Sequence, residues 1–178
     1  MMTLPIVRSS LPPILGIAGW KNSGKTTLTE RLIAELTRRG LKIASVKHAH
    51  HSFDLDHPGT DSARHRAAGA REVAIVSDTR VAHIRELAGA DEPSLPEIVA
   101  RFAPCDLVIA EGYKTSAVAK IEVRRLEARS REPLAGKDPH VIAIAADHAV
   151  ADEILPVFGL DDVAAIADFV VAWMSKRS

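Results

Sequence analysis

Apolar residues along the chain fall into short continuous runs alternating with stretches of helical spacing. Ile14 to Ala18 is apolar and closed by Gly19, which predicts a buried first strand. From Lys25, Leu28, Leu32 and Leu36 recur every four residues and predict a helix, with Gly40 placed to end it. Lys42 to Lys47 reads as a second strand, and Asp106 to Ala110 and Val141 to Ala146 as further short buried strands. Glu72 to Ser77 and Val81 to Leu87 are apolar and β-branched enough to be strands. Ala119 to Arg124 alternates polar with apolar residues, which predicts a strand near an edge. Helical spacing returns at Asp61 to Ala68, at Ser94 to Phe102 and in a last helix from about Asp161. The last carries Val163, Ile166, Val170, Trp173 and Met174 on one stripe.

Continuous apolar strands separated by helices imply an α/β fold, a mostly parallel sheet with helices on both faces. Residues 1–12 read as a leader without periodicity. With no internal repeat and no long linker, 13–178 is expected to be a single domain.

The first strand and first helix are joined by Gly19-Trp20-Lys21-Asn22-Ser23-Gly24-Lys25-Thr26, a full match to G-x-x-x-x-G-K-[ST]. Each position has a physical reason. Gly19 and Gly24 let the backbone turn tightly, and successive N–H groups, those of Asn22 and Ser23 among them, then line a phosphate cradle at a helix N-terminus. Lys25 is expected between the β- and γ-phosphates, and Thr26 on a magnesium ion. The fold expected is therefore that of a P-loop NTPase. Lys21 could touch phosphate or simply face solvent. A magnesium-nucleotide site also wants a carboxylate at the end of a neighbouring strand. Glu111 ends the DLVIA strand at the edge where ligands bind, whereas Asp106 lies at the opposite end. Lys114 follows closely, though its direction is not legible in the sequence.

Composition narrows the classes. Lysine plus arginine and aspartate plus glutamate each number 23, so no net charge argues for nucleic acid or a membrane surface. No run approaches the roughly 20 apolar residues of a membrane span. A lone Cys105 and the absence of a signal-peptide run predict a cytoplasmic protein. Four of the eight histidines, His48, His50, His51 and His57, stand with Asp54, Asp56 and Asp61 in a polar loop. Three readings stay open for it: a loop serving nucleotide, magnesium or substrate, with Asp56 a candidate metal ligand; a solvated loop; or a transition-metal site. Lys47, at the end of the second strand, faces the phosphate-loop edge. Asp61, with Ser62 and Arg64, could serve an anionic ligand. Asp147 ends a late strand, where a carboxylate could accept from N1 and N2 of guanine, or merely be exposed.

GWKNSGKTTL, SVKHAHHSFDLDHPGTDSARHRAAGA, DLVIAEGYK and VIAIAAD occur in that order and spacing. Together they resemble the molybdopterin-guanine dinucleotide biosynthesis adaptor proteins (the MobB family), over about residues 14–150. The resemblance implies a GTP-binding, weakly hydrolysing homodimer that works with magnesium. It also implies partnership with the guanylyltransferase that attaches GMP to molybdopterin in making the molybdenum cofactor. By that pattern Gly24, Lys25, Thr26 and Thr27 hold phosphates and magnesium, with Glu111 as acidic partner. The resemblance also supports guanine reading by Asp147, although the full asparagine–lysine–x–aspartate motif of common GTPases is missing. Trp20 occupies the position where related dimerising ATPases carry a lysine that crosses to the partner, so that mechanism is not expected here. Two other classes share the loop: a small-molecule kinase, for which Arg124, Arg125, Arg129 and Arg131 could form a lid, and a metal-delivering GTPase using the histidine loop.

Overall fold

The computed structural model describes residues 11–49 and 53–177, so the leader through residue 10 and His50 and His51 lie outside the described residues. The stretch expected as one domain divides into two compact units, Met1–His48 with Leu95–Ser178, and Ala49–Ser94.

The larger unit is built on six parallel strands: β1 (Ile14–Ala18), β2 (Ile43–Lys47), β5 (Leu107–Glu111), β6 (Ala119–Arg124), β7 (Val141–Ala146) and β8 (Val157–Gly159). Their spatial order is β2-β5-β1-β6-β7-β8. Helices cover both faces, as expected of a P-loop NTPase-like α/β fold. On one face α1 (Lys25–Arg38) and α4 (Val163–Ser175) bury Leu28, Leu32, Leu36, Ile166 and Val170 against Leu15, Ile17, Leu107 and Ile109. On the other, α3 (Leu95–Val99) sets Leu95 and Val99 on Val108 and Ala110. Consecutive residues of β5 thus serve opposite cores, which is why the strand reads as a continuous apolar run.

The three-residue β8 went unforeseen, being too short to carry a periodic signal. The edge position expected for β6 is corrected: it lies between β1 and β7, with four consecutive residues buried. Its alternation reflects charge held on a covered face. Lys120 and Glu122 are each only 1% exposed. Lys120 Nζ donates to Asp138 at 2.6 Å, and Glu122 accepts the backbone N–H groups of Leu134 and Ala135 at 2.8 and 2.9 Å. Arg124 bridges Glu122 and Glu153. Charge can be buried on such a strand when each group finds partners of this kind.

The smaller unit contains α2 (Asp61–Ala67), capped by the Thr60 hydroxyl, and an antiparallel hairpin of β3 (Glu72–Val76) and β4 (Val81–Arg85). Among the described residues no helix is long and apolar enough to cross a membrane.

The buried Lys120 yields a prediction. Burial pushes the Asp138 carboxyl up, but hydrogen bonds from Lys120 and His140 outweigh it and hold the group at about 2. Its folded value lies below the usual carboxylate value, so the contribution to stability is complete above about pH 4 and is lost as pH falls toward 2. Asp138→Asn should cost about 3 kcal/mol at pH 7 by leaving the buried ammonium unpaired. In urea unfolding, the gap between wild type and variant should narrow from pH 4 downward.

Candidate functional site

The phosphate loop lies in the larger unit and takes the strained backbone its glycines allow. Gly19 has φ 150° and Gly24 φ 88°, while Asn22 is left-handed at 66°. A Cβ on Gly19 would stand 2.6 Å from the Val123 carbonyl oxygen and from Ser23 Oγ. Helix α1 starts at Lys25 with no side-chain cap, and its first hydrogen bond runs from the Leu28 N–H to the Gly24 carbonyl. The N–H groups of Lys25, Thr26 and Thr27 precede that bond and lie at the positive end of the helix dipole. Ser23 is buried, and its hydroxyl finds no hydrogen-bond partner among the described residues.

Around this loop the parallel register gathers the chemistry. Glu111 pairs with Ile17 of β1 and with Lys47 of β2, so all three reach the same end of the sheet. The Thr26 hydroxyl donates to Glu111 Oε1 at 2.7 Å, and Lys47 Nζ stands 3.3 Å from the same oxygen. Glu111 is only 7% exposed, so its charge is held by these two partners. Lys25 Nζ donates to the Trp20 carbonyl at 2.7 Å. Burial lowers its pKa, Glu111 opposes that shift, and the ammonium groups of Lys47 and Lys114 add to the lowering. Such a cluster of donors and cations about one buried carboxylate suits a polyanion with its counter-cation.

The far side of the loop is held by the segment that follows β6. Trp20 Nε1 donates to the Glu132 carbonyl at 2.6 Å, and the Arg129 N–H to the Lys21 carbonyl at 3.0 Å. Arg125 packs against Gly24, its Cδ 3.1 Å from where a Cβ would be. Asp147 is close by: Oδ1 accepts the Leu126 N–H at 3.1 Å, and Oδ2 the Arg125 Nε at 3.3 Å. The His148 imidazole, 2.8 Å from Oδ1, leads in holding the Asp147 carboxyl below its ordinary value. Asp147 thus holds its neighbours in place. Of the arginines considered as a lid, Arg124 is tied to Glu122 and Glu153, and Arg131 donates to the Leu126 carbonyl.

Asp56 and Asp61 belong to the smaller unit. Asp56 is buried there with Arg66 Nε 3.2 Å from its carboxylate, and Arg66 also binds Asp54 and Glu86. Asp61 is exposed, 3.6 Å from Arg64. Among the described residues no group of three or more histidine, cysteine or acidic side chains is arranged to hold a metal.

The family model described as "Molybdopterin guanine dinucleotide synthesis protein B" matches residues 14–147, from the start of β1 to Asp147. The chain belongs to the MobB family. It is 38% identical to the molybdopterin-guanine dinucleotide biosynthesis adapter protein of Escherichia coli K12, across 93% of this chain and 95% of that one. The protein of the same description from Haemophilus influenzae is 35% identical, with 91% and 89% covered. A crystal structure of Bacillus subtilis MobB superposes with a TM-score of 0.70 at 27% identity, covering 90% of this chain and 96% of that one. The strands and loop that form the phosphate-loop edge, through Asp147, lie within the span that the family model matches.

Beside the loop, the structure gives Lys114 its direction and adds Glu132, which the sequence reading missed. Lys114 was noted without a direction, and its ammonium lies 3.8 Å from the centre of the Trp20 ring. Glu132 contributes a backbone carbonyl, which no motif could announce.

The loop geometry makes Gly19→Ala a sharp probe. The added methyl meets a backbone carbonyl that cannot move aside, so unfolding should cost about 1–3 kcal/mol less in this variant. Triphosphate binding, read by calorimetry, should fall at least tenfold.

Proposed function

We propose that this chain is a GTP-binding adaptor with slow GTPase activity that assists attachment of GMP to molybdopterin. The coarse part, a role in molybdopterin guanine dinucleotide biosynthesis, follows from family membership. The observation that carries the rest is the uncapped phosphate-loop helix, with Thr26 and Glu111 2.7 Å apart at its start.

The residues fit the expected groups. Thr26 and Glu111 supply hard oxygen donors of the kind magnesium prefers, directly or through water. When bound, magnesium would neutralise charge on the β- and γ-phosphate oxygens. Gly19, Asn22, Ser23, Gly24 and Thr27 would supply the cradle, and Lys25 would bind phosphate with the ammonium now held by the Trp20 carbonyl. Lys47 would neighbour the phosphate end through its pairing with Glu111. Positioned positive charge of this sort stabilises a transferred phosphoryl group.

In the same reading Asp147 selects GTP by accepting from guanine N1 and N2. Homodimerisation is part of the proposal, and the exposed cross-strand pair Val76 and Val81 on the hairpin gives it an apolar surface. Molybdopterin and the guanylyltransferase are the proposed partners, in the cytoplasm.

Titration of the full chain with magnesium and GTP, ATP or molybdopterin, with and without the guanylyltransferase, tests the proposal. GTP should bind more tightly than ATP, and the guanylyltransferase should form a complex. Equal binding of ATP together with no complex would overturn the family role. Lys25→Ala should reduce nucleotide affinity at least a hundredfold, and unchanged affinity would refute the phosphate-loop reading.

A further inference from the structure

Beyond Glu111 the chain turns sharply, and the turn aims a lysine back at the phosphate loop. Gly112 has φ 91°, and a Cβ there would stand 3.0 Å from the His48 carbonyl oxygen, so only glycine makes this turn without strain. The Tyr113 ring then packs 5.3 Å from the His48 imidazole, and the Ser116 N–H closes the turn on the Tyr113 carbonyl. Lys114 lies between these anchors and crosses to Trp20, with its Nζ 3.8 Å from the ring centre.

The indole beneath it is itself fixed, since Nε1 donates to the Glu132 carbonyl. A cation over an indole face at this distance is attracted by the ring quadrupole. The stacking therefore holds an ammonium at the second residue of the phosphate loop. Lys25, the lysine assigned to the β- and γ-phosphates, bonds the carbonyl of the same Trp20. Two ammonium groups thus flank one residue, Lys25 on its backbone and Lys114 on its ring. Lys114 contributes to the lowered pKa of Lys25, behind burial, Glu111 and Lys47. It also adds to the lowering of Glu132, where the Lys137 hydrogen bond leads. Lys25, Lys47 and Lys114 thus gather beside the loop, Lys47 on the buried carboxylate of Glu111 and Lys114 near enough to act on Lys25, and a polyphosphate would balance their charge.

We propose that Lys114 is a phosphate-binding residue that engages the terminal phosphate of a nucleoside triphosphate, so that the loop distinguishes triphosphate from diphosphate. This rests on the phosphate-loop reading and adds to it a contact made from the β5 turn, outside the loop motif. The Trp20 ring acts as the platform that keeps the lysine stem extended over the loop. A phosphate oxygen offers the ammonium a charge-assisted hydrogen bond, stronger than the ring contact it would supplement.

The test compares wild type, Lys114→Met and Lys114→Arg as full chains with magnesium, titrated calorimetrically with a non-hydrolysable GTP analogue and with GDP. Lys114→Met keeps the apolar stem over Trp20 and removes only the charge, and Lys114 is only partly buried, so the fold should be retained. The expected result is an approximately tenfold weaker affinity for the analogue, with less than a twofold change for GDP. Lys114→Arg should recover most of the loss. Unchanged affinity for the analogue would overturn the proposal, and so would an equal loss for both nucleotides, which would mark a structural role. Lys25→Ala separates the two readings. If wild type binds and Lys25→Ala does not, the phosphate loop stands and Lys114→Met alone decides this inference. If wild type binds neither nucleotide, both readings fall.

Discussion

Parallel pairing of β5 with both β1 and β2 is the constraint on which the site depends. That register puts Glu111 level with Ile17 and Lys47, at the strand ends from which the phosphate loop departs. A slip of one residue would turn Glu111 to the opposite face and leave Thr26 and Lys47 without their shared carboxylate. The register is in turn held by packing: Leu107 and Ile109 sit under α1 while Val108 and Ala110 sit under α3. The cores on the two faces of the sheet thus fix the placement of one carboxylate oxygen.

A second set of buried charges does comparable structural work on β6. Glu122 takes two backbone N–H groups from Leu134 and Ala135, and Lys120 anchors Asp138. Between these anchors and Asp147, the segment after β6 is tied down at both ends. It meets the phosphate loop through the Trp20 and Lys21 bonds. The charged face of β6 is therefore part of what shapes the phosphate-loop edge, although none of its side chains belongs to the loop motif. Buried polar networks of this kind specify one arrangement more strongly than an apolar strand would.

Much of this was legible in the sequence because it depends on local rules. The apolar runs of β1, β5 and β7, the fourfold leucines of α1 and the stop at Gly40 follow from neighbouring residues alone. So does the phosphate loop, whose glycines adopt the positive φ values that the motif requires. The place of Glu111 beside the loop was legible because it ends a buried parallel strand next to β1. The interior position of β6 was not legible, since alternation of charge with apolar residues looks the same whether the charge meets water or a buried partner. The partner of Lys120 is 18 residues away and the backbone donors to Glu122 are 12 and 13 away, across a segment with no regular pattern.

By itself, then, the sequence determined the main element types, the parallel α/β class and a full phosphate-loop motif, because each is encoded by residues close together in the chain. The tertiary structure decided which charges meet. It drew Asp56 to Arg66 within the smaller unit, bound Asp147 to Arg125 and the Leu126 backbone, and laid Lys114 across Trp20. Trp20 and Lys114 are 94 positions apart in sequence, yet 3.8 Å separates ammonium from ring centre. Electrostatic partnership depends on distance in space, and only the folded chain sets that distance.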